Sequence, residues 1–228
     1  MTLEELMHRA GLWRAGEAPL EDGLSTGFSV LDAILPGGGW PRLGLIEILT
    51  SQPGIGALRL VLPALAALSC LPRWLIWVAP PHRPYAPALQ AAGIDLTHVL
   101  LIDRTESSGP TAGRVPRAPP ATLSACWSWR RAAEGEFWAF EQALRFPECG
   151  AALWWPARLE ALALRRLQLA CEAGGSLGIL FRPVECANQA SPAALRLSVQ
   201  PIVATPEVQV RVLKCRGSLR ARECRLFL

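Results

Sequence analysis

Three observations predict an α/β fold with a mostly parallel sheet flanked by helices. Short apolar runs, Leu45–Leu49, Trp74–Ala79, Ala151–Trp155 and Leu177–Arg182, are continuous rather than alternating. That is the pattern of strands buried on both faces. Segments of helical periodicity separate these runs, so successive strands are joined by right-handed crossovers. Near the end the pattern changes: Val208, Val210 and Val212 alternate with Gln209 and Arg211. Ala194–Val199 and Val208–Lys214 are therefore expected as antiparallel strands at one edge of the sheet.

The composition narrows the functional classes. A chain of 228 residues, 51% hydrophobic and 18% charged, has enough apolar surface for one domain with small appendages and is not a disordered segment. The longest apolar run, Leu60–Leu71, is interrupted by Pro63 and falls short of the roughly 20 residues needed to cross a bilayer. Glu4 and Glu5 near the start do not fit a signal peptide. A soluble cytoplasmic protein with no membrane partner is expected. Seven cysteines (70, 126, 149, 171, 186, 215 and 224) contain no C-x-x-C pair and are read as free thiols. His8, His82 and His98 follow no zinc spacing, so no metal site or cofactor is expected. Charge is asymmetric. Residues 151–228 carry ten Arg and one Lys against five acids, whereas residues 1–150 carry twelve Arg against fourteen acids. The basic half is either an electrostatic footprint for an anionic partner or a solvated face.

In chain order, Thr2–Arg14 is predicted as a short amphipathic helix, with Thr2 and Glu5 as a capping box and Leu3, Leu6, Met7 and Leu12 as its stripe beside Trp13. With the linker Ala15–Gly23 it forms a unit over 1–23 that either docks a partner or packs on its own domain. Ser25-Thr26-Gly27 introduces a short helix that turns Phe28, Leu31 and Ile34 inward. Pro36-Gly37-Gly38-Gly39-Trp40-Pro41 is a turn whose glycines serve close packing. After the Leu45–Leu49 strand comes a helix over Gly56–Ser69, with Pro63 as a kink. Pro84–Ala92 is a helix ended by Gly93, and Val99–Ile102 is a strand. Arg104–Arg131, rich in Pro, Gly, Ser and Arg, is read as a long surface loop containing Trp127 and Trp129. Helices are predicted at Glu136–Arg145 and Ala157–Ala173, a loop at Pro183–Pro192, and a basic C-terminal tail over 218–228.

The stretch Leu45–Leu60 has the outline of a phosphate-binding loop: strand, Gly-containing turn, helix. Its window runs Ser51-Gln52-Pro53-Gly54-Ile55-Gly56-Ala57-Leu58. Gly56 occupies the second glycine position. Ala57 replaces the phosphate-binding lysine and Leu58 replaces the hydroxyl that would ligate Mg²⁺. Phosphoryl transfer depends on those groups for positioning and charge, so no ATPase activity is expected. Gly54 and Gly56 leave backbone N–H groups that can hold an anion weakly.

The segments LSTGFSVLDAILPGGGWPRLGLIEIL (24–49), RWLIWVAPPHRPYAPALQAAGIDLTHVLLI (73–102), and ALRLSV with VQVRVLKCR (194–199 and 208–216) together resemble the core of RecA recombinase. The resemblance covers 24–217 and implies a RecA-like fold of the P-loop NTPase type. PGGGWP, QPGIG, APPHRPYAPAL and LRRLQLA before a Gly-Gly pair are similar to ImuA, the RecA-like accessory family of bacterial mutagenesis cassettes, also described as SulA-like. Relative to RecA, the activating carboxylate falls at Pro80-Pro81-His82, the Mg²⁺-associated acid at Trp154-Trp155, and the γ-phosphate-sensing amide at Arg182-Pro183. Lys214 and Arg216 match a basic pair that reaches across a filament interface. The first DNA loop has almost no room between Trp155 and Ala157, and the second, Pro183–Pro192, lacks glycine-rich character.

The resemblance implies a non-catalytic adaptor in SOS-induced translesion synthesis. Its expected partners are an ImuB-type polymerase relative, an error-prone DNA polymerase III alpha-type subunit and RecA. Candidate contacts are Leu3, Leu6 and Trp13, the pair Lys214 and Arg216, and Arg220, Arg222 and Arg225. The alternatives are a DNA-binding module using the basic C-terminal half with Trp127 and Trp129, a weak nucleotide binder, and a SulA-like cell-division inhibitor.

Overall fold

The computed structural model describes residues 23–52, 54–103, 123–216 and 222–228, and the side chains of 123–133 are not among them. The expected N-terminal helix with Leu3, Leu6 and Trp13, together with Arg220 and Pro53, lies outside the described residues, as do the side chains of Trp127 and Trp129.

The described chain folds around one eight-stranded sheet of order β3-β2-β4-β5-β1-β6-β7-β8. The strands are β1 (Gly44–Thr50), β2 (Trp74–Val78), β3 (Val99–Ile102), β4 (Cys149–Trp154), β5 (Leu177–Pro183), β6 (Leu195–Pro201), β7 (Glu207–Cys215) and β8 (Arg222–Phe227). The pairings from β3 through β6 are parallel. β6–β7 and β7–β8 are antiparallel. β1 lies in the middle, between β5 and β6, and every residue from Gly44 to Leu49 is buried, Glu47 among otherwise apolar neighbours.

Helices cover the two faces unequally. On one side lie α1 (Ser29–Asp32), α2 (Ala57–Ser69) and α3 (Ala86–Ala91), which bring Leu31, Leu60, Val61, Ala64, Leu65 and Leu89 against Ile46, Ile48, Trp77, Leu153 and Ile179. On the other side α4 (Leu123–Arg145) and α5 (Ala161–Gly174) pack Phe140, Leu144, Leu164, Leu167 and Cys171 against Leu45, Ile76, Ala152 and Leu180. The first core runs on under β7 and β8 through Val208, Val210, Val212, Cys224 and Leu226. The opposite face of those two strands carries exposed Arg211, Leu213, Glu223, Arg225 and Phe227.

Several boundaries differ from the sequence expectation. The expected loop at 104–131 is corrected over 123–131, which is helical: α4 begins at Leu123 and runs for 23 residues through the predicted 136–145 helix. Its arginines and alanines are good helix formers, and the long helix gains its stability from the Phe137–Leu144 stretch that packs on the sheet. Helix α5 starts at Ala161 rather than Ala157, with Glu160 in extended backbone as its N-cap, so Pro156–Glu160 is a real connection rather than a point junction. The residues read as a basic tail include β8, whose Cys224 and Leu226 are buried against the core while the charged residues alternate outward. The glycine turn holds a 3-10 turn at Pro36–Gly38, and a Cβ at Gly39 would collide with the Leu24 carbonyl, where Leu24 and Trp40 form a bridge.

Candidate functional site

The turn between β1 and α2 lies at the carboxyl end of the central parallel strand, where open α/β sheets place their ligands. Gly54 and Gly56 both adopt the left-handed conformation, with φ of 84° at each. Ser51 and Gly54 are exposed. Ala57 is the first residue of α2, and with Leu58 and Ile55 it packs on the apolar core. The side chain standing where a hydroxyl would ligate a metal is therefore an apolar one, partly buried against the core.

The chain itself meets one side of the turn, whereas nothing lies within 4 Å of a Cβ built at Gly54. A Cβ built at Gly56 would lie 3.1 Å from Leu228 Cβ and 3.5 Å from its Cδ1. Leu228 is partly buried against the core, held there by β8. Along the neighbouring strand ends, Trp155 stacks on Phe181 at 4.9 Å and 9°, and Trp77 lies 5.8 Å from Trp155. Trp154 turns to the opposite face, 5.4 Å from Phe140, and its Nε1 donates to Glu136 Oε2 at 3.1 Å. Thus the position resembling a Mg²⁺-associated acid holds two packed indoles. At the end of β2, Ala79 takes a positive φ of 43° while its N–H donates to the Ile102 carbonyl, and His82 beyond it is exposed.

The charged chemistry lies within the sheet. Glu47, in the middle of β1, is fully buried and faces Arg182 of β5 and Arg196 of β6. Arg182 Nη1 donates to Glu47 Oε2 at 2.7 Å and Nη2 to Gln189 Oε1 at 3.0 Å. Arg196 Nε approaches Glu47 Oε1 at 3.4 Å, a charge contact rather than a hydrogen bond. Its other nitrogens donate to the carbonyls of Cys186, Ala187 and Gln189. Ser191 donates its hydroxyl to Glu47 Oε1. The network ties the 183–192 segment, which contains a 3-10 turn at Val184–Asn188, down onto the sheet. Arg182, expected as a lost γ-phosphate sensor, is instead a structural partner of Glu47.

Lys214 and Arg216 lie at the rim of this network. Lys214 Nζ donates to the Ser191 carbonyl at 2.5 Å, and Arg216 lies 3.7 Å from Glu172. Partial burial, followed by the charges of Arg196 and Arg216, lowers the Lys214 pKa. Arg222 donates to the Ile34 carbonyl at 3.0 Å and so joins β8 to the turn that follows α1, while Arg225 is exposed. The candidates Lys214 and Arg216 come together; Arg222 and Arg225 point to opposite faces of β8. Much of the basic excess of the second half is spent internally: Arg166 pairs with Glu141, Arg211 with Glu223, and Arg182 and Arg196 with Glu47.

Sequence reasoning missed the Glu47 network. Its signal was present: one carboxylate inside an unbroken apolar strand must be buried, and a buried carboxylate needs cations. Among the described residues no cluster of metal-ligating side chains occurs, and no helix is long and apolar enough to cross a membrane.

No family model matches the chain. The crystal structure of SulA from Pseudomonas aeruginosa resembles it at 20% identity and a TM-score of 0.41, covering 60% of this chain and 97% of that one. The protein named "Cell division inhibitor SulA" of Edwardsiella piscicida is 31% identical over 151 residues, which span 64% of this chain and 71% of the relative. With that identity over that share of the relative, the chain belongs to the SulA family.

Proposed function

We propose that this chain is a non-catalytic, protein-binding member of the SulA family that acts in the bacterial DNA-damage response. The observation that carries this reading is the apolar lining of the β1–α2 turn: Ala57 and Leu58 pack against the core where a lysine and a hydroxyl would stand, and Leu228 lies against Gly56. A turn that lacks both the lysine and the hydroxyl is without the side-chain charge and metal ligand that phosphoryl transfer uses.

Within that class, we propose first an accessory role in SOS-induced translesion synthesis, in which a RecA-like body with a degenerate ATP site serves as an adaptor for an ImuB-type polymerase relative, an error-prone DNA polymerase III alpha-type subunit and RecA. The central position of β1 and the glycine turn at its carboxyl end support the RecA-like, P-loop-type body. A second reading, inhibition of cell division, is favoured by a specific observation, the name of the Edwardsiella piscicida relative, and the comparisons support it more directly than the adaptor role.

One pair of experiments separates the readings. Pull-down of the tagged full chain from DNA-damaged cells is expected to recover RecA or the mutagenesis polymerases if it is an adaptor. Overexpression in undamaged cells is expected to give filaments if it inhibits division. Normal cell length, with polymerase subunits recovered, selects the first reading; filaments without those subunits select the second. Hydrolysis of ATP above background would overturn the non-catalytic class itself, and saturable ATP binding without hydrolysis would select the weak nucleotide binder.

A further inference from the structure

The chain of 228 residues contains a single lysine, Lys214. It is exposed, near the end of β7, and pairs directly across the sheet with Arg196 of β6. Arg216 follows two residues on, its backbone N–H donating to the Ala194 carbonyl at 2.8 Å, and residues so spaced in extended chain share a face. Like charges directly opposite one another on a sheet repel. The carboxylates of this corner are engaged by arginines: Glu47 faces Arg182 and Arg196, and Glu172 of α5 lies 3.7 Å from Arg216. Lys214 Nζ is held instead by a neutral group, donating to the Ser191 carbonyl at 2.5 Å. Lost hydration, then the charges of Arg196 and Arg216, favour its neutral amine over the ammonium, with Glu47 acting in the opposite sense.

We propose that Lys214 is a site of covalent acylation by acyl phosphates, the anionic mixed anhydrides of a carboxylic acid and phosphate. A neutral amine keeps an N–H for the Ser191 carbonyl and leaves its lone pair for attack. Nζ adds to the acyl carbon, and the C–N bond of the amide forms as the C–O bond to phosphate breaks. Phosphate leaves with that electron pair and takes up the proton lost from nitrogen, so no further reactant is needed. Arg216, its side chain 69% exposed, is free to meet the donor's phosphate, which a guanidinium grips with two parallel N–H bonds. The arginines themselves stay protonated and do not compete as nucleophiles. The cations that repel the ammonium thus attract the acyl donor, and one residue of the chain has both the amine and that setting. Acylation removes the charge opposite Arg196. It does so where Ser191, whose hydroxyl donates to Glu47, ties the 183–192 segment to the sheet.

Acetyl phosphate is the probe, added to the full chain together with an equal concentration of Nα-acetyl-lysine amide as an amine of ordinary pKa. Mass spectrometry of the peptides reads acetylation at Lys214, at the α-amino group and on the free amine separately. Near neutral pH and at low salt, Lys214 is expected to react about tenfold or more faster than the free amine. That excess is expected to shrink as added salt screens the arginines. Arg216→Gln, its fold checked by circular dichroism, is expected to lose most of the excess. Lys214→Arg is expected to carry acetyl at the α-amino group alone, which confirms the assignment of the peptide. A Lys214 that reacts no faster than the free amine overturns the proposal. So does an excess that survives both high salt and Arg216→Gln unchanged, because the cations would then have no part in it.

Discussion

The middle of β1 and the turn that follows it are a few residues apart and opposite in character. Glu47 is fully buried yet ionic, facing Arg182 and Arg196 across the adjoining strands. The turn at 51–58 is partly open, yet apolar where chemistry would be expected, with Leu58 in the core and Leu228 over Gly56. Charge has been kept where it fixes a loop and is missing where it would hold a phosphate. Buried charge costs stability unless it is fully paired, so its survival in β1 marks a structural task. The difference teaches that a residue pattern with the outline of a nucleotide site is to be judged by what fills the space, not by the outline.

The largest expected effect comes from breaking the ionic side. Glu47→Ala leaves Arg182 and Arg196 buried without their counter-charge and is expected to lower stability by about 3–5 kcal/mol in urea unfolding. Replacing Glu47 with Leu and Arg182 with Met together is expected to cost less than Glu47→Ala alone, since the uncompensated charge goes with its partner. A double variant worse than the single one would show that the network contributes more than charge balance.

On the apolar side, Phe181→Ala removes the ring stacked on Trp155 and is expected to cost about 3 kcal/mol, read by the same unfolding curve. A smaller loss, about 1–2 kcal/mol, is expected from Ala57→Lys with Leu58→Thr, which writes a phosphate-loop signature back into the turn at the expense of a core side chain. Phosphate release from ATP is expected to stay at background in that variant. Measurable turnover would mean that the missing side chains alone had silenced the turn.

The smallest effect at neutral pH concerns Cys149 and Cys171, on the same helical face as Glu47. Burial pushes both thiols up to about 12 from an ordinary value of 9.0. Because the folded values lie above the unfolded ones, the stability this contributes is fully present below about pH 9. It is lost as pH rises through the window to about 12, where the unfolded chain ionises first. Unfolding free energy measured from pH 8 upward is expected to fall across that window, and alkylating reagents at pH 8 are expected to label exposed Cys70 while sparing this pair.

Most of the architecture was legible in the residues. The continuous apolar runs gave β1, β2, β4 and β5 within about two residues, and the Val208/Val210/Val212 alternation identified β7 and its half-covered sheet. β8 was not legible, because three arginines in seven residues resemble a solvated tail unless Cys224 and Leu226 are seen to alternate inward. The start of α4 was missed because polar, proline-flanked sequence has no period until it meets a core.

For the candidate site, the sequence alone determined what is absent. The side chains of Ala57 and Leu58 cannot grip a phosphate or ligate Mg²⁺ in any fold, since they carry neither a charge nor an oxygen. Tertiary structure decided what takes their place. That Leu228 returns to lie against Gly56 and that Arg182 and Arg196 meet around Glu47 depend on strands far apart in the chain becoming neighbours. No local pattern encodes such distances: pairing and burial across the sheet set them.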